Sequence, residues 1–299
     1  MKHIIVTGGT GFFGINLVTE LLQRGYTVAV TVRPGSLHRG RLEGLGSGLT
    51  VIENDVGNID ELPVLLAERF GRVPLYDTFY HLAWSGGRND FTAQLQNISD
   101  TMKALEVAGE LGCKRFICSG SQAEYGATTE RIEETSPLKP FSAYGAAKVS
   151  ACYLSRIRAE ELKIDWIWGR IFSLIGRYEP DGRMLPDLIE KLKKGETVAL
   201  SSCEQYWDYL DAEDAAKAFV LLGENGKAGE IYNIANGEYR RLKEFTEEVR
   251  AYFGDEASSV QYGEDPTPFV SLKPSVEKLK RDTGWRPEIS FKESLKRYI

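Results

Sequence analysis

The amino-acid sequence predicts an α/β protein built on a doubly wound, parallel sheet. Short runs of β-branched and other apolar residues alternate with longer segments whose apolar residues recur at helical spacing. The first of these runs, residues 4–6, is apolar throughout, as expected of a strand that helices cover on both faces. Right-handed crossovers connect such strands through the helices between them.

The alternation of strands and helices continues to about residue 172. The remaining predicted strands are 28–32, 49–52, 78–82, 115–118 and 166–172. The predicted helices begin with one that carries Leu17, Val18, Leu21 and Leu22, followed by helices around 62–66, 92–111 and 146–162. We therefore assign residues 1–172 to one doubly wound sheet domain.

The rest of the chain, residues 173–299, is predicted to form a smaller α/β lobe. Six of the eleven prolines lie in this part, which indicates more irregular structure. The run 230–235 again has the pattern of a buried strand and is expected to return to the main sheet. The two parts are therefore predicted to be interleaved, without a linker between them.

Composition and charge exclude several classes of protein. The chain has 37 Lys and Arg residues against 43 Asp and Glu residues, a net charge of −6, and no basic block. Nucleic acid is therefore not an expected partner. No stretch approaches the ~18 apolar residues that a membrane span needs. The four cysteines form no CxxC pair and the three histidines are far apart, so we expect a cytoplasmic protein without a protein-bound metal.

A glycine loop lies between the first strand and the first helix. Gly8, Gly11 and Gly14 have the spacing G-x-x-G-x-x-G, with Phe12 and Phe13 between the last two. Without side chains, the backbone can approach a pyrophosphate closely, and the helix N-terminus offers free N–H groups to the anion. The position between a strand and a helix predicts a dinucleotide site rather than a plain turn.

The residues after the second and third strands bear on the choice of cofactor. A carboxylate after the second strand would bind the ribose 2′-OH of NAD, but Arg33 stands there. An arginine can pair with a 2′-phosphate, which favours NADP, with NAD as the second choice. Asp55 and Val56, after the third strand, are candidates for contact with the adenine. A carboxylate that caps the next helix is the alternative for Asp55.

Tyr144 and Lys148 form the candidate catalytic pair. At i and i+4 of a helix they lie on one face. A nearby ammonium typically lowers the pKa of a phenol, which is ordinarily about 10, by ~1–3 units. Alone, such a pair is usually a surface coincidence. It gains meaning from Ser121, which follows the fifth strand at the sheet edge where ligands bind in open α/β sheets.

Taken together, these motifs resemble the extended short-chain dehydrogenase/reductase superfamily, in particular its nucleotide-sugar epimerases, dehydratases and 4-ketoreductases. The resemblance covers the whole chain and implies a Rossmann fold. It is carried by Thr7-Gly8-x-x-Gly11-x-x-Gly14, His81-Leu82-Ala83, Asn97, Ser121, Tyr125-Gly126, Tyr144, Lys148, Arg170-Ile171-Phe172-Ser173 and Trp285-Arg286-Pro287. Leu82 and Ala83 are expected beside the cofactor on the same ground.

The resemblance also implies roles for individual residues. Tyr144 would be the catalytic acid/base, and Lys148 would lower its pKa and hold the nicotinamide ribose. Ser121 would hydrogen-bond the reacting oxygen. Asn97 would support a proton relay, although a helix-face amide is an equal alternative. His81 is expected to be structural.

Departures from the family pattern bear on the reaction. Sugar-nucleotide 4,6-dehydratases carry an Asp-Glu pair directly after the Ser or Thr. Here Gln122 and Ala123 occupy those positions, so water elimination is not expected. Gln122 is instead a candidate for contact with the substrate.

Other departures concern substrate binding. Ser173 stands where the family often has an Asn, and Trp207 stands where many members have an Arg that reaches a diphosphate. Arg177 or Arg183 is a candidate to replace that Arg. Trp84 could line a sugar site, or be a core tryptophan.

We therefore predict an NADP-dependent reductase of a nucleotide-linked 4-keto-6-deoxy sugar, with the lobe 173–299 binding the substrate. The alternative is a nucleotide-sugar 4-epimerase with tightly bound NAD. A third hypothesis, a redox sensor without catalysis, is disfavoured by the intact Tyr144 and Lys148 pair. The resemblance further implies a homodimer formed by the helices around 92–111 and 142–161. The base, the sugar and the stereochemistry of the product are not predicted.

Overall fold

The structure, a computed structural model, describes residues 1–254 and 259–299. Thirteen strands lie within these residues. They are β1 (His3–Thr7), β2 (Thr27–Val32), β3 (Leu49–Glu53), β4 (Thr78–His81), β5 (Arg115–Ser121), β6 (Asp165–Ile171), β7 (Ser173–Ile175), β8 (Thr197–Leu200), β9 (Tyr206–Trp207), β10 (Tyr209–Asp211), β11 (Glu230–Ile234), β12 (Arg240–Arg241) and β13 (Ser259–Tyr262).

Nine α-helices lie in the same described residues. They are α1 (Phe12–Gln23), α2 (Leu62–Phe70), α3 (Phe91–Glu110), α4 (Ala143–Leu162), α5 (Met184–Lys193), α6 (Ala212–Asn225), α7 (Leu242–Phe253), α8 (Glu277–Thr283) and α9 (Phe291–Leu295). Short 3₁₀ helices cover Arg39–Leu42, Val56–Glu61, Gln122–Glu124 and Lys296–Tyr298. None of these helices has both the length and the apolarity that crossing a membrane requires.

Seven strands form the central sheet, in the order β11-β6-β5-β4-β1-β2-β3, and all of its pairs are parallel. The predicted doubly wound fold is thereby confirmed. From β1 the chain first builds outward through β2 and β3, and then returns to add β4 on the other side. This reversal leaves a crevice at the carboxyl ends of β1 and β4, which is where ligands bind in open α/β sheets.

Helices cover both faces of the sheet. On one face, α1 and α6 pack against each other and bury apolar residues such as Leu17 and Phe219. On the other face, α3 packs against α4, and Leu66, Leu105 and Ala159 belong to a second apolar cluster. Burial on both faces explains why β1 carries three consecutive residues, Ile4, Ile5 and Val6, with no exposed surface.

Two elements differ from the predicted bounds in ways that matter for the site. Strand β5 continues to Ser121, because residues 119–121 pair with residues 169–171 of β6. Helix α4 begins at Ala143, because the Ser142 side chain accepts a hydrogen bond from the backbone N–H of Gly145 and caps it. Tyr144 therefore lies in the first turn of a helix, and Ser121 is the last residue of a strand.

The chain after residue 172 adds smaller pieces around this sheet. β7 pairs with β10, β9 with β12 and β8 with β13. Helices α5, α7 and α9 contribute Leu188, Phe245 and Leu295 to a third apolar cluster. Strand β11 joins the central sheet beside β6.

Candidate active site

A cavity of about 710 Å³ lies at the carboxyl ends of the central strands. The glycine loop, the ends of β4 and β5, the start of α4 and the segments after β6 and β7 all contribute to its wall. Thirteen predicted site residues line it: Gly8, Gly11, Phe12, Phe13, Gly14, Leu82, Trp84, Ser121, Gln122, Tyr144, Lys148, Ser173 and Trp207. Four do not: Arg33, Asp55, Val56 and Ala83.

The glycine loop forms one end of the cavity from main-chain atoms. Gly8 has a φ of +71°, and a Cβ there would lie 2.7 Å from the backbone N of Ala83. A Cβ on Gly14 would lie 2.1 Å from the carbonyl O of Gly8. Side chains are therefore excluded where α1 presents its N-terminus. This cradle fits the pyrophosphate of a nicotinamide dinucleotide, which needs close approach to backbone N–H groups.

Thr7, a residue that sequence reasoning left without a role beyond the motif, ties the loop to β4. Its hydroxyl accepts hydrogen bonds from the backbone N–H groups of Leu82 and Ala83, at 3.2 and 3.3 Å. It also lies 3.0 Å from Nδ1 of His81. Burial lowers the pKa of His81 to about 3, with Lys148 acting in the same direction. On its other side, Nε2 of His81 lies 3.3 Å from the hydroxyl of Thr101. A neutral, buried imidazole between two hydroxyls suits a structural role.

Ser121, Tyr144 and Lys148 converge on the cavity from two elements. The Ser121 hydroxyl, at the end of β5, accepts a hydrogen bond from the backbone N–H of Ala123 at 3.2 Å. The backbone N–H of Tyr144 donates to the carbonyl O of Arg88 at 2.9 Å, which fixes the first turn of α4 beside the loop after β4. Lys148 follows one helical turn later and also lines the cavity.

The phenol of Tyr144 is held in its protonated form. Burial raises its pKa, and the negative charge of Glu124 acts in the same direction. The Ser121 hydroxyl and the two cavity-lining arginines, Arg88 and Arg183, act to lower it. A protonated phenol beside a serine hydroxyl is suited to donating a proton to a carbonyl oxygen.

The ammonium of Lys148 lies in an aromatic and main-chain environment. It donates a hydrogen bond to the carbonyl O of Ser119 at 2.7 Å. It also lies 3.5 Å from the ring centre of Trp84. Burial lowers the pKa of Lys148 to about 8. The expectation that this ammonium lowers the pKa of Tyr144 stays a prediction.

Behind Ser121 lies a buried carboxylate that sequence reasoning missed. Oε1 of Glu124 accepts hydrogen bonds from the backbone N–H of Ser121 at 2.8 Å and from the indole N–H of Trp168 at 2.9 Å. Oε2 pairs with Nε of Arg170 at 2.6 Å, and both side chains are at most 1% exposed. Arg170 in turn donates to the hydroxyl of Tyr125 at 2.9 Å. The backbone at Ser121 is thereby anchored to β6.

The wall opposite the sheet carries charged and polar side chains. Burial raises the pKa of Glu179 to about 7, although the Tyr298 hydroxyl, which donates a hydrogen bond to this carboxylate, acts to lower it. Arg183 lines the same cavity, whereas Arg177 lines a separate cavity next to α1. The indole N–H of Trp207 is buried and has no hydrogen-bond partner among the described residues.

Other predicted residues lie outside the cavity. Arg33 is exposed beyond the end of β2. Asp55 caps the 3₁₀ helix that begins at Val56, with Oδ1 accepting from the backbone N–H of Gly57 at 2.9 Å. Asn97 binds the backbone of Ser85, accepting from its N–H at 3.0 Å and donating to its O at 2.8 Å. The described residues include no group of three or more His, Cys, Asp or Glu side chains able to hold a metal ion.

The residues in or near the cavity that were not predicted include three charged ones, Arg88, Glu124 and Glu179. Opposite charges in two adjacent buried segments, Glu124 in the 3₁₀ helix after β5 and Arg170 in β6, were a readable signal for that pair. Arg88 follows a Gly-Gly segment after β4 and had no distinguishing pattern. Glu179 depends on Tyr298, more than a hundred residues away, so no local pattern indicates it.

The site can be compared with known proteins. Low-salt glycan biosynthesis protein Agl12 of Haloferax volcanii is 26% identical over 98% of this chain and 96% of its own length. UDP-N-acetylglucosamine 4-epimerase of Methanobrevibacter ruminantium M1, in complex with UDP-N-acetylmuramic acid, has the same fold, with a TM-score of 0.87, 23% identity and coverage of 99% and 96% of the two chains.

A second solved structure with this fold is RMD of Pseudomonas aeruginosa complexed with NADPH. Its TM-score is 0.81 at 22% identity, covering 100% of this chain and 97% of the other. The sequence model of the NAD dependent epimerase/dehydratase family matches residues 4–235. This range is most of the chain and includes Ser121, Tyr144 and Lys148. The chain therefore belongs to the NAD-dependent epimerase/dehydratase family, whose members are enzymes of the extended short-chain dehydrogenase/reductase superfamily.

Proposed function

We propose that this enzyme reduces the keto group of a nucleotide-linked 4-keto-6-deoxy sugar with NADPH. The observation that carries the proposal is the convergence of Ser121, Tyr144 and Lys148 on one cavity in which Gln122 supplies no carboxylate beside them. A protonated phenol and a serine hydroxyl serve carbonyl reduction, whereas elimination of water needs an acid and a base that residues 122–123 do not provide.

The proposed roles are those that the family resemblance implies, and the placement of the three side chains around one cavity supports them. Tyr144 donates its phenolic proton to the carbonyl oxygen, and Ser121 orients that oxygen from the end of β5. Lys148 supports the phenol and the cofactor ribose from the next helical turn. When bound, NADPH supplies the hydride for the carbonyl carbon and becomes NADP⁺. Residues 1–172 would thus serve the cofactor and 173–299 the substrate.

The preference for NADP rests on Arg33. It is exposed just after β2, and the residues directly around it in the chain, 31–36, include no Asp or Glu. Within the described residues it makes no ion pair. A free guanidinium there suits the 2′-phosphate of NADP.

For the nucleotide-sugar diphosphate we propose Arg183 and Arg88. Trp207 replaces the arginine that many members use, and these two guanidinium groups line the same cavity. Arginine binds diphosphate oxygens in a bidentate manner. Trp84, Gln122 and Ser173 would contact the sugar.

We further propose a homodimer that buries the outer face of α3 and α4. This face carries exposed apolar side chains, namely Phe91, Leu95, Tyr153, Leu154 and Ile157. Apolar patches of this kind commonly mark protein interfaces, and a self-complementary pair of helices suits twofold symmetry. Sedimentation of the wild type against Leu95→Glu should give a dimer and a monomer, and a monomeric wild type would contradict the proposal.

The reaction is tested with purified protein, NADPH or NADH, and CDP-, GDP-, UDP- and dTDP-linked 4-keto-6-deoxy sugars. We expect stoichiometric consumption of NADPH with one of them, and slower consumption of NADH. Interconversion of 4-epimers without loss of NADPH, together with NAD released on denaturation, would instead establish the epimerase. A thermal-shift screen of the same nucleotides identifies the base.

A further inference from the structure

The environment of the Lys148 ammonium lacks a carboxylate partner. None of the ion pairs in the described residues includes it, and its hydrogen bond goes to the Ser119 carbonyl. Lys148 is only 3% exposed. A buried ammonium without a counter-ion is costly and tends to lose its proton. The charge of Glu124 favours the protonated form without pairing with it, and burial keeps the neighbouring Cys118 thiol and His81 imidazole neutral. Direct contacts with uncharged groups must therefore supply the rest of the stabilisation.

Three aromatic rings face this ammonium. Its Nζ atom lies 3.5 Å from the ring centre of Trp84, 5.9 Å from that of Tyr144 and 5.9 Å from that of Trp168. Tryptophan gives the strongest cation–π attraction, and the attraction is largest when the cation is desolvated. By distance and by ring type, Trp84 dominates this set.

The indole of Trp84 is itself held in place. Its N–H donates to Oε1 of Gln94 at 2.8 Å, and Nε2 of Gln94 donates to the carbonyl O of Gly87 at 3.0 Å. Gln94 is a buried residue of α3. Asn97, one turn later on α3, binds both the N–H and the O of Ser85, the next residue after Trp84. Helix α3 thus fixes the ring over Lys148.

The same indole contacts the other half of the catalytic pair. Trp84 lies edge-on to Tyr144, with ring centres 6.1 Å apart and an interplanar angle of 89°. One ring therefore touches both Tyr144 and Lys148, in a geometry that aromatic pairs prefer.

We propose that Trp84 is a positioning residue, whose indole face holds the Lys148 ammonium charged and in place where a carboxylate would otherwise be needed. The inference rests on the proposed function only in one respect, namely that Lys148 acts on Tyr144 and the cofactor ribose in the reaction. This role differs from contact with a sugar, because it acts through Lys148 before any ligand binds.

The test measures the pKa of Lys148 in the ligand-free full chain by NMR of labelled lysine side chains, with Lys148→Met identifying the signal. Replacing the ring in Trp84→Leu should lower this pKa by about 1.5 pH units, since a desolvated cation–π contact is worth ~2 kcal/mol. Trp84→Phe, which keeps an aromatic face, should lower it by less.

Trp207→Leu is the matched control, because Trp207 lines the same cavity and is not among the rings that face Lys148. Its Lys148 pKa should equal that of the wild type. An unchanged or raised pKa in Trp84→Leu, or an equal fall in Trp207→Leu, would overturn the inference. If Trp84→Leu does not fold, the comparison of Trp84→Phe with wild type decides. No turnover is measured, so failure of the proposed reaction is a separate outcome.

Discussion

The two ends of the cavity are built in different ways. The proposed nucleotide end consists of main chain, with Gly8 and Gly14 leaving no room for side chains beside the start of α1. The proposed catalytic end consists of side chains whose partners are distant in sequence, as with Glu124 and Arg170 or Glu179 and Tyr298. A main-chain site is set by local spacing, whereas a side-chain site depends on which strands and helices meet.

The largest expected effect separates the two ends directly. Tyr144→Phe should lower kcat by roughly 10²–10⁴-fold, because it removes a positioned proton donor. The affinity for NADPH should stay within a few-fold of wild type, since the glycine loop is untouched. Turnover is followed by NADPH consumption and affinity by fluorescence titration. Tyr252→Phe, in α7 and outside the cavity, is the control. Near-normal turnover of Tyr144→Phe would exclude its proposed role.

The next effect tests whether the catalytic end depends on buried partners. Glu124→Ala should lower the free energy of unfolding by ~3–5 kcal/mol, because it leaves Arg170 buried without its counter-ion. Glu53→Ala removes an exposed ion pair, in which Oε2 of Glu53 lies 2.8 Å from Nη1 of Arg39 and both side chains are more than half exposed. That loss should be below ~1 kcal/mol. Denaturant titration of both variants measures the difference, and equal losses would break the comparison.

A substitution in the glycine loop should act on the other end alone. In Gly14→Ala the new Cβ would clash with the carbonyl O of Gly8, so the loop must shift. Losing charge-assisted contacts to the pyrophosphate should weaken NADPH binding by about 10–100-fold. In Gly40→Ala the nearest atom to the new Cβ would be 3.9 Å away, and binding should not change. Unaltered NADPH affinity in Gly14→Ala would show that the cofactor lies elsewhere.

The smallest effect concerns pH at the substrate end. Burial holds the folded-state pKa of Glu179 at about 7, against an ordinary value of 4.5, so the folded protein binds this proton more tightly. Glu179 therefore lowers the free energy of unfolding progressively as pH rises from about 4.5 to about 7, and this loss is complete above that window.

Glu179→Gln removes this contribution, because an amide does not ionise. The variant should gain ~1–3 kcal/mol over the wild type at about pH 8 and nothing at about pH 4. Thermal unfolding at both pH values measures the gain. Asp187→Asn, at a carboxylate outside the cavity, controls for the loss of one negative charge. If the gain in unfolding free energy does not vary with pH, the Glu179 carboxylate is exposed to water and its pKa is not raised.

The sequence was informative where a residue's neighbours in the chain are also its neighbours in space. The glycine spacing, the Tyr144 and Lys148 pair and the strand–helix alternation are of this kind. The structure confirms the alternation, and it brings the glycine loop, Tyr144 and Lys148 to the wall of one cavity. Strand β5 is longer than the predicted 115–118, because pairing with β6 extends it to Ser121. For Trp84 the sequence does not distinguish a residue that lines a sugar site from a core tryptophan, because its contact with Lys148 joins two elements that are far apart in sequence.

The sequence alone thus determined the fold class, the dinucleotide type of the first loop and the family, because each follows from periodicity or from short motifs. Only the tertiary structure decided that Arg183 rather than Arg177 faces the main cavity, and that Glu124 anchors Ser121. It also decided that an indole covers the Lys148 ammonium. These depend on the packing of α3, α4 and β6 against one another, which no local spacing of residues encodes.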